Sequence, residues 1–302
     1  MSRITKLKLC AAAALVITTR VAVNAEDLND PAAELASFQL ADGFEANLFA
    51  SEAEGVVKPI QMRWDARGRL WVICSTTYPL VKPGDKPDDK VLIIEDKDGD
   101  GRAETVKVFA DGLMIPTGLE LDPDGHGAWV GEGTKLWHFR DEDGDDHCEA
   151  REVVLRGFGT GDNHQNLNSF RWSPGGELYF CQGLHAFSRV ETSAGVVGLD
   201  EAGFWRLRPK SLTLEPFYGG KLDPQNPWGW VWTDWGQPLL VAGNNGGIFY
   251  PLPEMVRGHD ELRVGNIWVD ARSRKSSGPD IVIVMPGPPS VSKRIARRGR
   301  TY

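Results

Sequence analysis

The chain has 302 residues, 41% of them hydrophobic and 25% charged, and a formal net charge of −8. Four Lys/Arg and no acid in residues 1–25, and five and none in residues 281–302, leave residues 26–280 near −17, a field that argues against nucleic acid or an anionic membrane as partner and suits neutral or cationic ligands and divalent metals. Four cysteines are too few for a disulfide framework, so a hydrophobic core must carry the fold, and without C-x-x-C-H no c-type haem attaches to this chain.

Taken from the N-terminus, Arg3, Lys6 and Lys8 precede an apolar run over residues 9–17, too short to span a bilayer, and Val23-Asn24-Ala25 offers small residues for cleavage. The expectation is a signal peptide over residues 1–25 and an exported mature chain, periplasmic or at the cell surface, without a transmembrane helix. Residues 26–37 read as a linker. Residues 43–50, Gly-Phe-Glu-Ala-Asn-Leu-Phe-Ala, read as a lone strand ahead of the main repeat.

That repeat is a hairpin: an apolar strand, a Gly-containing polar turn and a second apolar strand. The copies are Met62-Arg63-Trp64-Asp65 with Gly68-Arg69-Leu70-Trp71-Val72, and Glu120-Leu121-Asp122 with Gly127-Ala128-Trp129-Val130. Two more follow, Phe170-Arg171-Trp172-Ser173 with Gly176-Glu177-Leu178-Tyr179-Phe180, and Val231-Trp232-Thr233 with Gly236-Gln237-Pro238-Leu239-Leu240-Val241. With Asp65, Asp122, Ser173 and Thr233 equivalent, the steps are 57, 51 and 60 residues. Further strand-like runs follow the first two hairpins, at 91–95 and 104–110, then 135–140 and 149–156. Four short strands per unit at this period predict an all-β fold, a β-propeller of four-stranded blades. A β-sandwich would give no reason for the period. About four blades are recognisable over residues 38–280, so a six-bladed type would be incomplete here; residues 281–302 read as a basic irregular tail, natural or the product of truncation.

Three constellations could carry chemistry. Asp96-Lys97-Asp98-Gly99-Asp100-Gly101 and Asp141-Glu142-Asp143-Gly144-Asp145-Asp146 place carboxylates at positions one, three and five of a turn, as an oxygen-ligated Ca²⁺ loop requires. Glu104 and Glu149 stand at position nine, and Glu152 at position twelve of the second loop adds a candidate ligand. Solvated Asp-Gly turns without metal are the alternative. In Gly161-Asp162-Asn163-His164-Gln165-Asn166-Leu167-Asn168, ahead of the third hairpin, His164 reads either as a general base or as a hydrogen-bonded turn histidine. Asp223-Pro224-Gln225-Asn226-Pro227-Trp228-Gly229 leads into the fourth hairpin from the equivalent place, either lining the same mouth or forming an Asn-Pro turn with a core Trp228. Trp64, Trp71, Trp129 and Trp172 are expected in the core, and Cys74, Cys148 and Cys181 remain after cleavage, with Cys74 and Cys181 too far apart to pair.

On Phe44-Glu45-Ala46-Asn47-Leu48-Phe49-Ala50, the Asp162-Asn163-His164 segment and Gln225-Asn226-Pro227-Trp228-Gly229, the chain resembles the propeller domain of the membrane-bound dehydrogenases of planctomycete-type bacteria. These are similar in turn to soluble quinoprotein glucose/sorbosone dehydrogenases. The resemblance implies oxidation of an aldose or polyol, with His164 taking the hydroxyl proton, pyrroloquinoline quinone accepting hydride, Gln225 and Asn226 contacting the quinone, Ca²⁺ supporting it and a c-type cytochrome as electron acceptor. Gln225 stands where that family has an Arg, which removes a charge-assisted clamp. A non-catalytic binding module for glycan or protein, an inactive family member and a Ca²⁺-dependent lactonase are the rival readings.

Overall fold

The computed structural model describes residues 30–219, 226–242, 247–249 and 269–270. Residues 1–25, read as a signal peptide, Gln225 and residues 281–302, read as a tail, lie outside them. The chain divides into two compact units, residues 1–48 and 49–302. In the first, part of the span read as linker is a helix, α1 (Pro31–Ser37), started by Asp30, whose side chain accepts from the Ala32 N–H at 3.1 Å.

The second unit is a β-propeller. Its first blade is an antiparallel meander of β1 (Pro59–Trp64), β2 (Leu70–Cys74), β3 (Asp89–Glu95) and β4 (Thr105–Leu113). The next is β5 (Pro116–Leu121), β6 (Gly127–Glu132), β7 (Lys135–Arg140) and β8 (Ala150–Arg156). The third blade begins with β9 (Asn168–Trp172) and β10 (Leu178–Gln182), is interrupted by a separate hairpin of β11 (Phe187–Thr192) and β12 (Gly195–Asp200), and resumes with β13 (Gly203–Arg208) and β14 (Thr213–Gly219). The fourth is β15 (Pro227–Trp232), β16 (Pro238–Ala242), β17 (Gly247–Phe249) and β18 (Val269–Asp270). The inserted hairpin, which no repeat announced, lies within the longest of the three steps.

The four residues taken as equivalent behave as one position. Asp65, Asp122, Ser173 and Thr233 each donate their N–H to the far side of the turn, at Arg69, Gly127, Glu177 and Gln237. Each carbonyl in turn accepts from a glycine three residues on, Gly68, Gly125, Gly176 or Gly236. Those glycines have φ between 76° and 81°, the left-handed region in which a side chain is strained. In the first two blades the aspartate also receives the indole N–H of the following strand, Trp71 at 3.1 Å and Trp129 at 2.9 Å.

Cores form between successive blades. The period-two alternation of β2 sends Trp71 and Ile73 toward the second blade, where Leu119, Val130 and Phe139 meet them. Leu70, Val72 and Cys74 face the other way, under Phe49, Ala50 and Val56. Phe170, Phe180 and Trp205 pack against Leu136 and Leu155 of the second blade, and Trp230 of the fourth inserts among Tyr179, Phe204 and Phe217. Each such fully buried side chain contributes roughly 1.5–3 kcal/mol.

Three expectations need correction. Residues 44–50 join no ladder among the described residues; the Phe49 carbonyl instead accepts the Ala103 N–H at 2.9 Å. Trp64 is 59% exposed, because β1 is the innermost strand of a blade with no described blade beside that face, and it keeps only an edge contact to Phe49 at 5.8 Å. Trp228 is 56% exposed, and Trp230, two residues on, is the buried anchor. Cys74, Cys148 and Cys181 are free and buried. Burial pushes the Cys74 thiol up to about 11, which makes it a poor nucleophile.

Candidate functional site

The segment carrying His164 is placed by close backbone approach. Gly157, Gly159 and Gly161 alternate along an extended run laid against residues 185–189, and a Cβ on Gly161 would lie 2.0 Å from the His185 carbonyl oxygen. The Arg189 N–H donates to the Gly157 carbonyl at 2.8 Å. Asp162 then caps a single 3₁₀ turn (Asn163–Gln165), accepting from the His164 N–H at 2.9 Å. Buried Gln165 closes the turn against Gly183, whose N–H reaches its carbonyl at 2.8 Å.

The partner of His164 comes from the first blade. Tyr78 Oη lies 2.6 Å from Nδ1, with the two rings edge-on at 5.4 Å. Asn163 Nδ2 donates to the Pro79 carbonyl at 3.3 Å, which ties the same two loops a second time. The Tyr78 N–H donates to Ser75 Oγ at 3.1 Å, and Ser75 is fixed in turn by Asp89, 1% exposed at the start of β3. The Asp89 carboxylate accepts from Ser75 Oγ at 2.6 Å, from the Thr76 and Thr77 N–H groups at 2.7 and 3.1 Å, from the Thr77 hydroxyl, and from the Ile115 N–H at 2.8 Å. Burial raises its pKa, but these donors outweigh burial and hold it below the usual carboxylate range. One aspartate thus organises both the loop after β2 and the chain leading into β5. His164 itself is exposed, and its Nε2 has no hydrogen bond among the described residues. Beside Tyr78 opens a cleft of about 450 Å³, which also involves Thr76, Pro79 and Leu80, within the usual range for a small-molecule site.

Asn226 directly precedes β15, as the His164 turn precedes β9, so both predicted segments lead into innermost strands. Asn166, 1% exposed, has a buried side-chain oxygen without a partner among the described residues.

The acidic loops join β3 to β4 and β7 to β8, at the outer side of their blades and apart from His164. In the first, Asp96, Asp98, Asp100 and Glu104 bring one carboxylate oxygen each within 4.8 Å of the others; Asp141, Asp143, Asp145 and Glu149 do so in the second. Both share one internal pattern. Asp96 accepts from the Gly99 and Gly101 N–H groups and Asp141 from those of Gly144 and Asp146, while Glu104 and Glu149 reach back to the N–H groups of Lys97 and Glu142. The fourth carboxylate of the second loop is therefore Glu149. Glu152 lies inside β8 opposite His138 and is not in the cluster. Asp146 occupies the left-handed position of Gly101, with φ 70°, and its side chain clamps Arg69 and Lys107 of the first blade at 2.5 and 2.6 Å.

Tyr78 and Asp89 carried no motif and were missed in sequence; only the alternating glycines at 157, 159 and 161 signalled a tightly held segment. The fold and this site define a four-stranded-blade propeller with a histidine shared between the loops of two blades. Residues 30–279 match the family described as Domain of unknown function (DUF7133), and the chain belongs to that family. No curated protein matches it. Among solved structures it is similar to the holo pyranose dehydrogenase PQQ domain from Coprinopsis cinerea (13% identity, 68% of this chain and 47% of that one, TM-score 0.47). It is also similar to the PQQ-bound aldose sugar dehydrogenase from Streptomyces coelicolor (13%, 66% and 61%, 0.44) and to a gluconolactonase from Xanthomonas campestris (16%, 62% and 55%, 0.42). The chain spans between about half and two thirds of the length of these structures.

Proposed function

We propose that this chain is an exported, sugar dehydrogenase-like propeller that oxidises an aldose or polyol. The planctomycete-type dehydrogenases are the relatives its motifs resemble, and a c-type cytochrome is the electron acceptor. The observation that carries the reading is the hydrogen bond between His164 and Tyr78, a residue that lines the cleft. With Nδ1–H donating to Tyr78 Oη, the ring is held in the tautomer whose Nε2 carries a lone pair and can accept a proton. Nε2 takes the proton of the substrate hydroxyl. Asp162 and the glycine run fix where that nitrogen sits, and Asn163 holds the two loops together.

A cleft of this volume, lined by Tyr78, the hydrogen-bond partner of exposed His164, fits a bound quinone. Pyrroloquinoline quinone, when bound, accepts the hydride released from the carbinol carbon. Gln225 and Asn226 would contact it. Each acidic loop offers four carboxylates to a Ca²⁺ ion with a structural role, remote from the proton transfer. Because each set is local to one loop, neither resembles the central, multi-blade metal of a lactonase. Gln225 in place of an Arg favours the second reading, a propeller that binds glycan or protein without turnover.

The test mixes the protein with pyrroloquinoline quinone and Ca²⁺ and follows dye reduction with a panel of aldoses. His164→Ala is expected to lower kcat by about 10²–10⁴-fold, the worth of a general base. A folded protein that retains no quinone would sink the redox reading. For the loops, Ca²⁺ is expected to raise Tm and a chelator to reverse the rise, with Asp141→Asn abolishing part of the shift; an unchanged Tm would assign both loops as metal-free turns.

A further inference from the structure

The cleft beside Tyr78, the hydrogen-bond partner of His164, is cationic in a body that is otherwise strongly acidic. Lys58, Lys82 and Lys86 line it, against one carboxylate, Asp85. An Asp85 oxygen is already turned onto its own loop, accepting the Lys82 N–H at 2.7 Å. None of the three ammonium groups forms an ion pair among the described residues, whereas Lys90 and Lys107 do. Lys58 also sits at φ 48°, an uncommon conformation for a residue with a side chain. Its carbonyl is fixed there by the Ser75 N–H at 3.2 Å, in the same turn that Asp89 organises.

We propose that Lys58, Lys82 and Lys86 hold the carboxylates of a small organic anion in this cleft, with the rest of the ligand extending along Tyr78 toward His164. Unpaired like charges at a cleft repel one another, and a bound polyanion relieves that repulsion while the acidic surroundings exclude anions elsewhere. Lysine presents a point charge with three donors, so carboxylates are recognised without a fixed fork geometry. The anion is either the carboxylates of the quinone or those of a sugar-acid substrate. The inference rests on the reading above only for the neighbourhood of His164. Binding without turnover would sink that reading and leave this one standing.

Calorimetric titration of the purified full chain decides it, with pyrroloquinoline quinone, glucarate, inorganic phosphate and glucose as probes. At least one carboxylate probe is expected to bind, and to weaken several-fold between 50 and 300 mM salt, both figures being about the range over which surface charge is screened. Lys82→Ala/Lys86→Ala is expected to weaken that binding by at least about tenfold, the loss of two ion pairs at roughly 0.7 kcal/mol each. The three lysines are exposed, so an unchanged Tm will show that the variants fold. Quinone binding assigns the cleft to the cofactor; glucarate binding assigns it to a substrate. Binding of phosphate as tight as that of the carboxylates, carboxylate binding unaffected by the lysine substitutions, or no binding of any carboxylate overturns the proposal.

Discussion

At the scale of single residues, Asp89 decides the geometry of the site without touching it. Its two oxygens gather six donors from the loop after β2 and from the chain entering the second blade, and Tyr78 follows directly on that loop. Asp89→Asn keeps the shape but replaces an acceptor-only group with one that presents N–H toward donors, and is expected to cost about 2–3 kcal/mol in urea unfolding. The effect carries a pH signature. Asp65, Asp89 and Asp122 all have pKa values held below the usual range, because hydrogen bonds outweigh the burial that would raise them. The stability they contribute is full above the unfolded value of about 3.9 and is lost as pH falls through it toward the lower folded values. Unfolding free energy should therefore drop between about pH 5 and pH 2, and Asp89→Asn should flatten that drop; an unchanged slope would count against this assignment. Nothing in the sequence marked Asp89 or Tyr78, because an aspartate at a strand start and a tyrosine before a proline are ordinary. His164 stood out because it lies in a run of polar residues ahead of an apolar strand.

At the scale of elements, the turn repeat was legible because its chemistry is local. A residue that accepts from a left-handed glycine three positions on leaves the same trace in every blade, and Gly68, Gly125, Gly176 and Gly236 record it. The run leading to His164 was only half legible. Its alternating glycines were visible, but what they approach, residues 185–189, belongs to a hairpin inserted between β10 and β13. Gly161→Ala is expected to cost about 1–3 kcal/mol, since backbone rather than a mobile side chain stands in the way, and to lower kcat by displacing the turn. Gly175→Ala, where the nearest atom is Ser173 Oγ at 3.7 Å, serves as the tolerated control. The acidic loops show the same boundary. The spacing of Asp141, Asp143 and Asp145 identified the turn, while the choice of Glu149 over Glu152 depended on where β8 begins, at Ala150.

For the molecule as a whole, blades are joined at their innermost strands by buried polar contacts as well as by the apolar layers. Arg63 of β1 meets Glu120 of β5 at 3.1 Å and donates to the Phe170 carbonyl of β9 at 2.6 Å, so one guanidinium links three blades. Burial pushes Glu120 up and Arg63 down despite their mutual attraction, the mark of a pair whose desolvation outweighs its Coulomb gain. Glu120→Ala, which leaves the guanidinium uncompensated, is expected to cost about 3–5 kcal/mol, and Arg63→Met/Glu120→Leu to be near neutral. Equal losses in the single and double variants would make the pair a net stabiliser. The hairpin period and the short apolar runs along β2, β6 and β10 were sufficient, read as sequence, for an all-β chain of repeated four-stranded blades, because turn chemistry and strand-forming runs act over a few residues. Tertiary structure alone decided that loops 86 residues apart bring Tyr78 onto His164, that Arg63 pairs with Glu120, that Trp64 and Trp228 are exposed, and that three lysines share one cleft. Those are contacts between blades, and their partners are set by how blades stack, which no local pattern encodes.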